Sequence, residues 1–243
     1  MKNYLAGLLV VLGSLSPAAS AGAEPPEVAA YNAASALVRE GKLQQAVPQL
    51  ERAIEIRPSY SAPYFALGEI YGKRGLPSQG MLYYMRFVSL EPDGERSATA
   101  AKRVFELLTF GVKPGDGGKI TISMNPDADK ADDLGPLDLG RTLAASTIHL
   151  DEGKAQTKAE RYVSALKSFV NLADELTQGG AKLPGVLWKR AAAPIFTLDR
   201  QGVLEGFLNV LAVKAGFEGA EAWLKKNSAQ KAKLDSALAE LRR

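Results

Sequence analysis

The sequence predicts an all-α protein: a short helix-turn-helix array, a Gly/Asp-rich loop, and a C-terminal helical domain. Three observations lead there. Apolar residues recur at three- and four-residue steps, as in Leu43, Ala46, Val47, Leu50, Ala53 and Ile54, the pattern of one buried helix face. Two similar breaks, RAIEIRPSYSAPYFALG from Arg52 and RFVSLEPDGERSA from Arg86, carry prolines 34 residues apart, at Pro58 and Pro92. A fixed period of this length signals a repeated structural unit. From Phe110 to Gly140 the composition then shifts to glycine, proline and aspartate.

The chain has 243 residues, 46% hydrophobic and 23% charged, with a formal charge of +3. That length supports one or two domains with real cores. The small charge gives no footprint for nucleic acid. Cysteine is absent and His149 is the one histidine, which excludes disulfides, thiolate metal sites, cysteine nucleophiles and multi-histidine metal sites.

Residues 1–23 read as a secretory signal peptide. Lys2 precedes an apolar run from Tyr4 to Leu15, and small residues follow, with Ala19-Ser20-Ala21 and Ala21-Gly22-Ala23 both fitting a cleavage site. The apolar run is shorter than a membrane span. The expectation is a periplasmic or secreted protein with no transmembrane segment after cleavage.

Residues 24–109 form the repeat region, with units at about 27–60 and 61–94 and a cap helix at 97–108. The first unit pairs a helix over Pro26 to Arg39 with one over Leu43 to Ile56. Superimposing Pro58 on Pro92 brings Gly41 onto Gly75, Ala46 onto Gly80, Leu50 onto Tyr84, Leu37 onto Tyr71 and Ala34 onto Gly68. Glycine tolerates the left-handed conformation that ends a helix, and proline marks the seam between units. Small residues at Ala34, Ala46, Gly68 and Gly80 let paired helices approach closely. Pro48 falls inside the second helix, where it delays or bends the start. The cap presents Ala101, Val104, Phe105 and Leu108 on one face, closing an array whose open end would otherwise expose apolar surface.

At these positions the sequence resembles the tetratricopeptide repeat (TPR). Tyr64, Leu67, Gly68, Tyr71, Gly75, Gly80, Tyr84 and Pro92 of the second unit match its signature, as do Gly41, Ala46, Leu50, Ala53 and Pro58 of the more degenerate first. Phe87 departs, because the family prefers a small residue there, which leaves open how the next element stacks. The resemblance implies a concave groove lined by the first helix of each unit, for a peptide or partner protein. Carried over by position, the groove residues are Tyr31, Asn32, Ser35, Arg39, Phe65, Glu69 and Lys73. They mix aromatic, basic, acidic and neutral groups and do not form an all-basic carboxylate clamp. A second reading stays open: the repeats brace the rest of the chain.

Residues 110–140 read as a loop or linker with a short strand near Lys119–Ser123. KPGDGGKI lacks the first glycine and the Ser/Thr of a phosphate-binding loop, since Lys113 and Ile120 stand there. NPDADKADDLGP alternates Asn125, Asp127 and Asp129 like calcium ligands, but Lys130 and Pro136 replace the glycine and glutamate that such loops need. A solvated acidic turn and a non-standard calcium site both remain readings of it.

Residues 141–243 form the helical domain. Its helices are expected at Leu139–His149 with Asp138 as cap, Lys158–Leu176, Pro184–Ala192, Gly202–Ala215, Glu218–Lys226 and Ala229–Arg242, with Asn227-Ser228 capping the last. Tyr162, Val163, Leu166, Phe169 and Val170 share one face. Trp188 and Trp223 read as core residues beside solvated cations, with a basic docking patch as the sharper alternative. His149, beside Asp151 and Glu152, is read as structural, because no nucleophile pattern accompanies it.

No catalytic residue, metal ligand or cofactor is assigned. The expected function is that of an exported interaction or scaffold protein that binds a peptide or protein partner in the cell envelope without catalysis. The alternative is a small-molecule- or metal-binding helical domain built around Asp127, Asp129, Asp132, Asp133 and Asp138, enzymatic in character, with the TPR region as accessory.

Overall fold

Glycine and proline set the limits of the first helices. In the computed structural model, which describes residues 24–116, 119–123, 135–150, 156–180 and 185–242, α1 spans Pro26–Arg39 and α2 Leu43–Ile56. Gly41 ends α1 with φ +75°, Lys42 N–H donates to the Leu37 carbonyl at 2.9 Å, and Gly41 N–H donates to that of Val38 at 3.0 Å. This six-to-one and five-to-two pair needs a left-handed residue, which glycine supplies without steric cost. The second unit repeats it: α3 (Ser61–Lys73) and α4 (Pro77–Leu90) are joined through Gly75 at φ +72°, with Leu76 N–H on the Tyr71 carbonyl at 3.0 Å. Pro48 does not delay α2, which starts at Leu43.

Small residues bring α3 and α4 together. A Cβ on Gly68 would lie 2.8 Å from the Tyr84 ring, and one on Gly80 would lie 3.1 Å from the backbone of both Gly68 and Gly72. Every residue of α4 from Pro77 to Ser89 is buried. One face meets α3. The others meet α5 (Glu95–Leu108) and the C-terminal helices. Phe87 fits by stacking edge-on against Phe65, ring centroids 5.1 Å apart, with the Arg96 guanidinium 5.2 Å from its ring. The helix after it, α5, therefore still packs on α4.

The loop that follows is shorter than expected. Val112–Pro114 (β1) pairs antiparallel with Ile120–Ile122 (β2), and α6 already begins at Gly135 and ends at Leu150. Asp138 is thus in the first turn of α6, not before it. Its carboxylate binds Arg141 at 2.8 Å and accepts from the Ser78 hydroxyl of α4 at 2.8 Å. Arg141 is 2% exposed and donates from Nη1 to the carbonyls of Leu107, Leu108 and Phe110 at 3.2, 2.8 and 2.9 Å. It joins the Phe110 N–H on the Leu107 carbonyl and caps the carbonyls of Leu108 and Phe110 beyond the end of α5.

Beyond, α7 spans Lys158–Gln178, opened by a capping box between Thr157 and Glu160. The expected helix at Pro184–Ala192 does not stop there. A π-helical turn, Leu187–Ala192, runs directly into α8 (Ala193–Arg200) through Pro194. Ala193 N–H reaches back five residues to the Trp188 carbonyl. The widened turn accommodates the proline ring and its missing N–H within the continuous helix. Three helices complete the fold: α9 (Leu204–Lys214), α10 (Ala220–Lys226) and α11 (Ser228–Leu241). Asn227 does not cap α11; its side-chain amide donates to the Trp223 carbonyl at 2.8 Å, closing α10 instead.

One continuous core runs through both halves. Helix α9 packs on α5, α6 on α7, and the π-helical turn on α4. Phe105 of α5 meets Phe217 at 4.8 Å and Tyr162 at 6.0 Å. Arg86 of α4, 4% exposed, donates to the Leu241 carbonyl at 3.0 Å and to the Ser89 hydroxyl at 3.2 Å. Trp188 is half-buried and packs against the core, its ring tilted by 47° against Phe196 with centroids 5.4 Å apart.

Three substitutions test these contacts. Gly68→Ala drives a methyl into a ring with no exposed surface, and should lower stability by about 1–3 kcal/mol despite the better helix propensity of alanine. Gly72→Ala, whose Cβ meets only a Leu107 methyl at 3.5 Å, should be neutral or slightly stabilising. Arg141→Met leaves Asp138 and three carbonyls without their partner and should cost about 3–5 kcal/mol. Urea midpoints read all three.

Candidate functional groove

Residues of α1, α3 and α5 line one common cavity. Helix α5 joins them in register: Arg103 lies 34 residues after Glu69, as Glu69 lies 34 after Ser35, and α5 begins 34 residues after α3. The expected cap helix thus keeps the 34-residue spacing of the array, with α9 and α6 packed against it.

The C-terminal halves of these helices line an open cavity of about 640 Å³. Its apolar walls are Val38 and Leu43 from the first unit, and Leu107 and Phe110 from the end of α5. Glu69, Lys73, Arg103 and Glu106 add charge around these walls. Glu69 accepts from the Tyr84 hydroxyl at 2.5 Å and lies 3.7 Å from both Lys73 and Arg103. Arg103 in turn holds Glu106 at 2.7 Å. The rim is a closed set of two cations and two carboxylates.

The seven groove residues expected from the sequence do not meet at one place. Glu69 and Lys73 line the cavity. Tyr31 is half-buried, edge-on to Tyr60 at 5.6 Å, and its carbonyl accepts from Ser35 at 2.9 Å. Asn32 is exposed and donates to Glu24 at 2.5 Å. Arg39 is exposed in the last turn of α1. Phe65 is 7% exposed, enclosed by Tyr84 at 5.5 Å and Phe87, with Arg96 above it at 5.6 Å. Its ring is internal packing. Arg103, Glu106, Leu107 and Phe110 escaped the sequence reading because α5 was treated as a cap, where only the inward stripe matters. Extending the 34-residue period once more would have found Arg103.

Of the acidic-loop residues, Asn125, Asp127, Asp129, Asp132 and Asp133 lie outside the described residues, while Asp138 is engaged by Arg141 and Ser78. His149 sits half-buried in the last turn of α6, and its sequence neighbours Asp151 and Glu152 lie outside the described residues.

Four phenols around the array have raised pKa values. Burial is the main cause at Tyr84, reinforced by the Glu69 carboxylate. Burial also dominates at Tyr31, Tyr60 and Tyr64, opposed by nearby arginines. These phenols stay neutral when folded at a pH where the unfolded chain, with tyrosine near ~10, ionises. Their contribution to stability is therefore full below about pH 10 and falls as pH rises beyond it. Phenolate absorbance should show these tyrosines ionising late and together with unfolding, and the urea midpoint should drop between about pH 9 and pH 11.

Comparison with known proteins identifies one likeness. A family model described as TPR repeat matches residues 28–75, from α1 to the glycine turn after α3. No curated protein and no solved structure matches the chain.

Proposed function

From a chain that carries tetratricopeptide repeats, we propose an exported interaction protein that holds a segment of a protein partner in the groove of α1, α3 and α5, without chemistry on it. Repeats of this kind suggest a protein-interaction or scaffold role. The observation that carries the reading is the asymmetry of the array. The far side, centred on α4, is buried under the C-terminal helices, whereas the concave side keeps an open cavity of about 640 Å³ with Phe110 45% exposed beside it. The C-terminal region braces the repeats from behind and leaves the groove to a partner.

Export is supported by the sequence of residues 1–23, with its single cation, apolar run and small-residue end. No helix among the described residues is long and apolar enough to cross a membrane.

Two measurements test this. Expressed with its first residues intact in a Gram-negative host, the protein should fractionate with the periplasm, its amino terminus starting after Ala21 or Ala23. A photo-crosslinking residue at position 73 should capture one defined partner in the native envelope, and the same group at exposed position 225 should not. Retention in the cytoplasm would overturn export; equal capture from both positions would overturn the groove.

A further inference from the structure

We propose that the groove selects an uncharged, apolar segment of its partner and turns acidic motifs away; this rests on the groove being the partner site. The cavity, at about 640 Å³, lies in the ~300–1,000 Å³ range of sites that enclose a drug-sized ligand. That is room for more than one bulky side chain. Val38 and Leu43 of the first unit and Leu107 and Phe110 at the end of α5 give it apolar walls.

The charges at the rim do not reach out for a counter-charge. Arg103 is held by Glu106 at 2.7 Å and faces Glu69 at 3.7 Å, and Lys73 faces Glu69 at the same distance. A ligand carboxylate would have to compete with Glu69 for Lys73, or with both Glu69 and Glu106 for Arg103. Helix polarity works in the same direction. Helices α1 and α3 end at this cavity, at Arg39 and Lys73, and the C-terminal end of a helix carries partial negative charge. A ligand that brings no charge disturbs none of this and gains by covering Phe110.

The test uses the full chain and three dye-labelled peptides of equal length, each with a Leu-Phe-Leu centre and an amidated end. One has uncharged Ser/Gln flanks, one acidic flanks, one basic flanks. Fluorescence anisotropy should show the uncharged peptide binding tightest. Its affinity should change less than about twofold between 50 and 500 mM salt, because no ion pair is formed. The acidic peptide should bind at least about tenfold more weakly, and Phe110→Ser, a change at an exposed position, should weaken the uncharged peptide about tenfold. Tightest binding by the acidic peptide, or binding of the uncharged peptide that Phe110→Ser leaves unchanged, would overturn the inference. If no peptide binds while position 73 still captures a partner, the apolar preference is wrong and the groove stands. If position 73 captures nothing either, both fall.

Discussion

Arg141 is a cation with almost no contact with water, and its placement decides how the two halves of the chain meet. Burying a guanidinium is costly unless its hydrogen-bonding groups are engaged. Here Asp138 takes one edge of the fork and three carbonyls at the end of α5 take another. Ser78 of α4 holds the same Asp138. One network therefore ties α4, α5 and α6 at a single point. A slide of α6 along the array would strand a buried charge, so the register is fixed by electrostatics as well as by packing. Because α6 carries α7, and α7 carries α8 and α9, the rest of the C-terminal region inherits this anchor.

The second constraint is the close contact of α3 and α4. Gly68 and Gly80 remove the atoms that would hold these helices apart, and the Tyr84 ring fills the space against Gly68. The hydroxyl of the same tyrosine then reaches Glu69. A residue chosen by repeat packing thus positions a carboxylate of the groove rim. Glu69 fixes where Lys73 and Arg103 rest, so the electrostatic character of the groove follows from how tightly two helices pack behind it.

Punctuation made the array legible in the sequence. Gly41, Gly75, Pro58 and Pro92 act through their own backbone preferences, which no distant partner can override, and the bounds of α1 and α2 were readable to the residue. The C-terminal helices were legible from periodicity alone, and there the limits drifted. The helix expected to end at Ala192 runs on through Pro194, because a π-helical turn before it makes room for the ring. Asp138 looked like a cap, because local sequence cannot show that Arg141 and Ser78 compete for it. Asn227 stood at a cap position yet bonded backward to α10. Phe65 was assigned to the groove by position in the repeat, and its burial depends on Phe87, the residue at which this chain departs from the family pattern. Each of these misses is a tertiary contact overriding a local rule.

The departure at Phe87 also accounts for the difference between the two ends of the face formed by α1, α3 and α5. A small residue there would leave room beside Phe65. The large ring fills it, draws Arg96 over both rings, and makes this end of the face a packed aromatic cluster. The opposite end has no such filling. There the chain turns at Gly41, Gly72 lacks a side chain, and α5 runs out into Phe110, so the helices leave a cavity between their ends. Closing one end of the groove with aromatic packing confines the accessible apolar surface to the other. The position of the cavity is thus a consequence of core packing, and the paired charges around it set which chemistry can enter.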